Sequence, residues 1–70
     1  MRVTVKVARA MAGLTQDQAA NKMGISRAAY VYIEKHPERT PIERAQKLCD
    51  AFGMPMEAIN FLPSTPQNVE

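Results

Sequence analysis

"LTQDQAANKMGISRAAYVYIE", Leu14 to Glu34, would read as one continuous helix but for the Gly24 in its middle. Inside a helix a glycine costs about 1 kcal/mol relative to alanine. The residues around it explain its presence differently. Thr15-Gln16-Asp17-Gln18 is a capping box, with Thr15 as N-cap and Gln18 reaching back to it, so a helix begins at Gln16. Ser26 is a second N-cap candidate and opens another helix, which can run no further than about His36 because Pro37 disfavours helical geometry before it. Two capped helices are then joined only by Gly24, Ile25 and Ser26. So tight a joint needs a left-handed residue, which glycine supplies without steric cost. Ala20 is small enough to let the two helices approach where they cross, and Ile25 is expected to tuck under the turn.

Outward from this stretch the chain is helical almost throughout. Val3, Val5 and Val7 alternate like a strand, but Val5, Ala8 and Ala12 repeat at helical steps and Gly13 closes the run, so a helix is expected. Thr40-Pro41-Ile42-Glu43 reads as a second capping box with proline at the first helical position. Ile42, Ala45, Leu48, Cys49 and Phe52 follow as an apolar stripe that ends at Gly53. Pro55 can open a short last helix holding Ile59. The expected fold is all-α, a five-helix domain with helices at about 3–12, 16–23, 27–35, 41–52 and 55–61. Residues 1–62 form that domain, and the polar, proline-bearing 63–70 form a flexible tail. Tyr30 falls on the inward side with Ile33, and Cys49 reads as a small buried hydrophobe.

Composition narrows the function. Seventy residues allow one small domain, able to bury only about 60% of the unfolded chain's surface. Hydrophobic residues at 46% and charged residues at 23% are those of a globular chain. No apolar run reaches the roughly 18 residues of a membrane span and no signal-peptide pattern opens the chain, so no membrane partner and a cytoplasmic location are expected. One Cys and one His exclude an internal disulfide and a zinc set; no metal and no cofactor are expected. There is no glycine-rich phosphate loop, and no nucleophile has a base beside it, so the chain does not read as an enzyme. The charge is uneven. Arg2, Lys6, Arg9, Lys22, Arg27, Lys35 and Arg39 outweigh Asp17, Glu34 and Glu38 in the first forty residues, whereas acids prevail afterwards. The amino-terminal part is the candidate anion-binding face.

Two short helices at this spacing form a helix-turn-helix, whose second helix lies in the DNA major groove. Gln16, Ala19, Ala20, Met23, Gly24, Ile25, Ser26, Ile33 and Glu34, preceded by "VKVAR" and followed by "AFGMPMEAI", resemble the phage repressor and Cro-type helix-turn-helix family over about Val5 to Leu62. The chain departs from that pattern at Tyr30, where a β-branched residue is usual, and at Lys35-His36-Pro37, where Asn-Gly usually follows the glutamate.

The resemblance implies double-stranded DNA as partner and sequence-specific binding, with the chain acting as a dimeric repressor on a pseudo-palindromic operator. Arg27, Ala28, Val31 and Tyr32 are the expected base contacts: Arg27 has the planar fork that matches guanine O6 and N7, and Ala28 suits a thymine methyl. Gln16, Ser26, Lys35, His36 and Arg39 are the expected phosphate contacts, Gln16 because a helix start favours an anion. Arg9 and Glu34 look like the family's ion pair between the first and third helices; with Gly24 and Ala20 they are structural. Met54, Met56, Phe61 and Leu62 exceed what a short terminal helix needs, and part of that set is expected at the homodimer interface. The competing function is an antitoxin, which would bind a protein toxin and regulate its own promoter secondarily.

Overall fold

The computed structural model describes residues 2–62, and the expected tail lies outside them. Within them run four α-helices: α1 (Val5–Met11), α2 (Gln16–Met23), α3 (Arg27–Lys35) and α4 (Ile42–Phe52). Single 3-10 turns at Pro37–Arg39 and Met56–Ala58 complete the order. α2 packs on both α3 and α4, and α1 packs on α3. Tyr30, Leu48, Ile59 and Val5 are the largest fully buried side chains. Ala8, Ala19, Ala20, Met23, Ile33, Cys49 and Phe52 close the core around them.

α2 and α3 begin and end as their sequences dictate. Thr15 Oγ1 accepts from Gln18 N at 3.1 Å and Gln18 Oε1 accepts from Thr15 N at 2.9 Å, so the capping box is complete. Ser26 Oγ accepts from Ala29 N at 3.1 Å. α3 stops at Lys35, and Pro37 then starts the 3-10 turn.

The outer parts differ from expectation in three places. α1 starts at Val5 and not at residue 3, because Thr4 caps it and Val3 is used elsewhere. Val3 forms an isolated parallel bridge with Ile59. Val3 N donates to the Ala58 carbonyl at 3.0 Å and Asn60 N donates to the Val3 carbonyl at 2.8 Å. The same bridge removes the fifth helix. Ile59, 2% exposed, is drawn into the core in extended geometry, so the expected 55–61 helix is reduced to the turn at Met56–Ala58.

The third difference is at α4, which begins at Ile42 with Pro41 as its N-cap and no side-chain cap. Pro41 is extended, with ψ 151°, so Thr40 lies one residue too far back to reach the first-turn amides. Its hydroxyl is buried without a partner. Ala45, Leu48, Cys49 and Phe52 carry the buried stripe, while Ile42, one turn earlier and outside the buried cluster, is 62% exposed.

Candidate nucleic-acid interface

The turn between α2 and α3 is built on Gly24, whose φ of +72° and ψ of 29° are left-handed. Beyond the adjoining residues nothing lies within 4 Å of where a Cβ would sit, so glycine is favoured here by backbone geometry and not by crowding. Ile25 N returns to the Ala20 carbonyl at 3.0 Å, and the Ile25 side chain packs against the core. Ala19 and Ala20 are buried.

On α3, Tyr30 and Ile33 face inward. Helical spacing puts Arg27, Ala28, Val31, Tyr32 and Lys35 on one outer arc. Arg27, Ala28, Tyr32 and Lys35 are exposed there, and Val31 is half-buried. Ser26 has spent one oxygen lone pair as a cap, but its hydroxyl hydrogen can still be donated.

Behind that arc lies a polar network centred on Glu34. Its carboxylate accepts from Arg9 Nε at 2.7 Å, from the Tyr30 hydroxyl at 2.6 Å and from Gln16 Nε2 at 3.0 Å. Arg9 Nη1 also donates to the Leu14 carbonyl at 3.0 Å. The Glu34 side chain is only 8% exposed. Burial alone would raise its pKa, but the hydrogen bonds from Tyr30, Arg9 and Gln16 and the charge of Arg9 outweigh burial, and the carboxyl sits below its ordinary value. The guanidinium of Arg9 is raised, chiefly by its bond to Glu34. Burial and then the Glu34 carboxylate push the Tyr30 phenol up, so it stays protonated and donates. α1, α2 and α3 are thereby fixed to one another at a single carboxylate.

The network reaches the arc through Gln16. Because the Glu34 carboxylate can only accept, the Gln16 amide must turn its nitrogen inward, which presents its oxygen to Arg27. Arg27 Nη2 lies 3.4 Å from Gln16 Oε1, and Arg27 Nε lies 3.5 Å from Asp17 Oδ1. The sequence marks Gln16 as a phosphate ligand alone and gives no role to Asp17 or to the Tyr30 hydroxyl. The four-residue spacing of Tyr30 and Glu34 was the available signal for the last.

At the other end of α3, Tyr32 organises the following loop. Its hydroxyl accepts from Arg39 Nη1 at 2.9 Å, and its ring lies 4.9 Å from that of His36, tilted by 44°. His36 Nδ1 is 3.8 Å from Glu38. Exposed Tyr32 and Arg39, with half-buried His36, therefore form one group beside Lys35. The apolar set near the carboxyl end divides: Met54, Met56 and Phe61 are half-buried against the core, while Leu62 is 61% exposed.

Comparison with known proteins agrees with this geometry. The family model described as "Helix-turn-helix" matches residues 5–59. The chain belongs to the helix-turn-helix family, in its XRE-type branch. It is 36% identical over 59 residues to an uncharacterised HTH-type transcriptional regulator of Methanocaldococcus jannaschii, covering 84% of this chain and 89% of that protein. A second uncharacterised HTH-type transcriptional regulator, from Archaeoglobus fulgidus, is 32% identical over 57 residues, covering 81% of each. No solved structure matches the chain significantly. No helix among the described residues is long and apolar enough to cross a membrane.

Proposed function

We propose that the protein regulates transcription by sequence-specific binding to double-stranded DNA, as a repressor that occupies a pseudo-palindromic operator as a dimer. The observation that carries this reading is the outer arc of α3. It offers Arg27, Ala28 and Tyr32 to solvent on a helix whose inner side is locked to α1 and α2 through Glu34. A rigid helix of nine residues with one exposed side suits a major groove about 12 Å wide. In this reading Gln16, Ser26, Lys35, His36 and Arg39 face the phosphates on either side. The two archaeal relatives carry the description of transcriptional regulators, which supports the same function here. A monomer of this size covers one half-site. Two half-sites about 34 Å apart require a second copy, with Leu62 and its neighbours at the contact.

Footprinting on the DNA upstream of its own coding sequence, followed by titration of the protected duplex, tests the proposal. With about four to six phosphates contacted across the dimer, log K falls against log salt with a slope near −4 to −5. A slope near zero removes DNA as the ligand. Arg27→Ala costs about 1–3 kcal/mol on the best site and relaxes the preference at one base pair per half-site. A uniform loss with the base preference intact makes Arg27 a phosphate contact.

A further inference from the structure

Asp17 is, with Glu38 beside His36 and Arg39, an acid on the surface proposed to meet polyanionic DNA. It sits in the first turn of α2, and its side chain is 72% exposed. Its carboxylate repels phosphates wherever the protein lands, on any sequence. Its nearest cation is Arg27, on the neighbouring helix, with Nε at 3.5 Å. Gln16 Oε1 touches the same guanidinium at Nη2, at 3.4 Å. The guanidinium is thus approached by α2 along its Nε side, while both Nη1 hydrogens and the second Nη2 hydrogen stay available. Those are the donors that an arginine uses end-on against O6 and N7 of a guanine.

We infer that Asp17 is a specificity-determining positioning residue, which holds the Nε side of Arg27 so that its two terminal nitrogens meet a guanine in one orientation. The inference rests on the DNA-binding reading above. An unheld arginine has many rotamers and pairs readily with any phosphate, which raises binding to all sequences alike. A held arginine loses less freedom on reaching a base, and its partner carboxylate disfavours close phosphate approach. The first effect belongs to the cognate complex alone and separates it from arbitrary DNA. The second acts on all DNA and lowers total affinity without changing the ratio.

The test compares the protein's best site, chosen by selection from random duplexes, with a scrambled duplex of equal length at fixed salt. Asp17→Asn keeps size and shape at an exposed position, and a thermal melt matching the parent shows that the fold is intact. The ratio of the two affinities is expected to fall by about 3- to 10-fold, with the scrambled duplex bound as well or better. Equal tightening on both duplexes, or an unchanged ratio, overturns the inference and leaves Asp17 as surface charge. The second arm repeats the substitution in an Arg27→Ala background. There Asp17→Asn should leave the ratio unchanged; a ratio that still falls means Asp17 does not act through Arg27, and the inference fails. If the parent protein selects no preferred site, the DNA-binding reading fails first, and this one with it.

Discussion

Between Thr15 and Lys35 the helix ends are closed by residues a few positions away. Thr15 and Ser26 cap α2 and α3, Gly24 turns between them, and the Tyr30 hydroxyl meets Glu34 one helical turn on. Between Thr40 and Leu62 only the end of α4, at Gly53, is closed locally, and the rest is closed from far along the chain. α4 has no side-chain cap, the Thr40 hydroxyl has no partner, and Ile59 is held by Val3. The first region is specified by its own sequence, and the second takes its shape from what it packs against. Most of the candidate interface lies on the first, and His36 and Arg39 follow directly after it.

The strongest way to break this contrast is at Glu34, where the self-specified unit depends on a remote residue, Arg9. Glu34→Ala leaves Arg9 and the Tyr30 hydroxyl without their shared acceptor, and should cost about 3 kcal/mol, read from denaturant unfolding. Total stability for a chain this size is of the order of 4–10 kcal/mol, so that is a large share. A loss under about 1 kcal/mol would reduce the network to an ordinary surface pair. The same group gives a pH signature. Because its carboxyl is held below the ordinary 4.5, the unfolded chain binds that proton more readily than the folded protein. The stability it contributes is complete above the ordinary value and is lost as pH falls through the folded one. Glu34→Gln should therefore flatten the acid side of the stability curve.

A smaller effect is expected at the turn. Gly24→Ala should cost about 1 kcal/mol through left-handed backbone strain alone, since the space around it is open. A β-branched residue there should cost more. Gly53, with φ +67° and equally open surroundings, ends α4 and should respond alike. A higher melting midpoint for Gly24→Ala would undo the turn, since only an uninterrupted helix gains from that change.

The smallest effects sharpen the contrast most. Thr15→Ala should lose about 1 kcal/mol with its cap. Thr40→Val should be neutral or slightly stabilising, because the hydroxyl it removes is buried and unpaired. Equal losses at the two threonines would mean that both cap, and that α4 starts as its sequence suggests.

How much could be read without coordinates follows the same division. α2 and α3 were legible because the capping box at Thr15, the Ser26 cap, the glycine and the proline are local signals, with their physical causes within four residues. The first helix is present, but its start and the whole of the fifth helix differ by one mechanism: the alternation of Val3, Val5 and Val7 carries a strand signal that is real only at Val3, and only because Ile59 comes to meet it. Thr40-Pro41-Ile42-Glu43 has the letters of a capping box, but the extended Pro41 moves the helix start past the threonine's reach. At the candidate interface, the outward residues of α3 followed from helical spacing. The hold of Gln16 and Asp17 on Arg27 did not, because it depends on how two helices are set side by side.

The pairing of Val3 with Ile59 also bears on the order in which the chain assembles. A contact between the two ends of the described chain must wait for loop closure, whose entropic cost grows with the length enclosed. The α2–α3 joint, by contrast, closes within a few residues. The staple between the ends should then be absent from the folding transition state and form only once the helices have docked. Contacts of that kind set how fast a protein comes apart and not how fast it forms. Weakening the Val3–Ile59 bridge should therefore speed unfolding and leave the folding rate nearly unchanged.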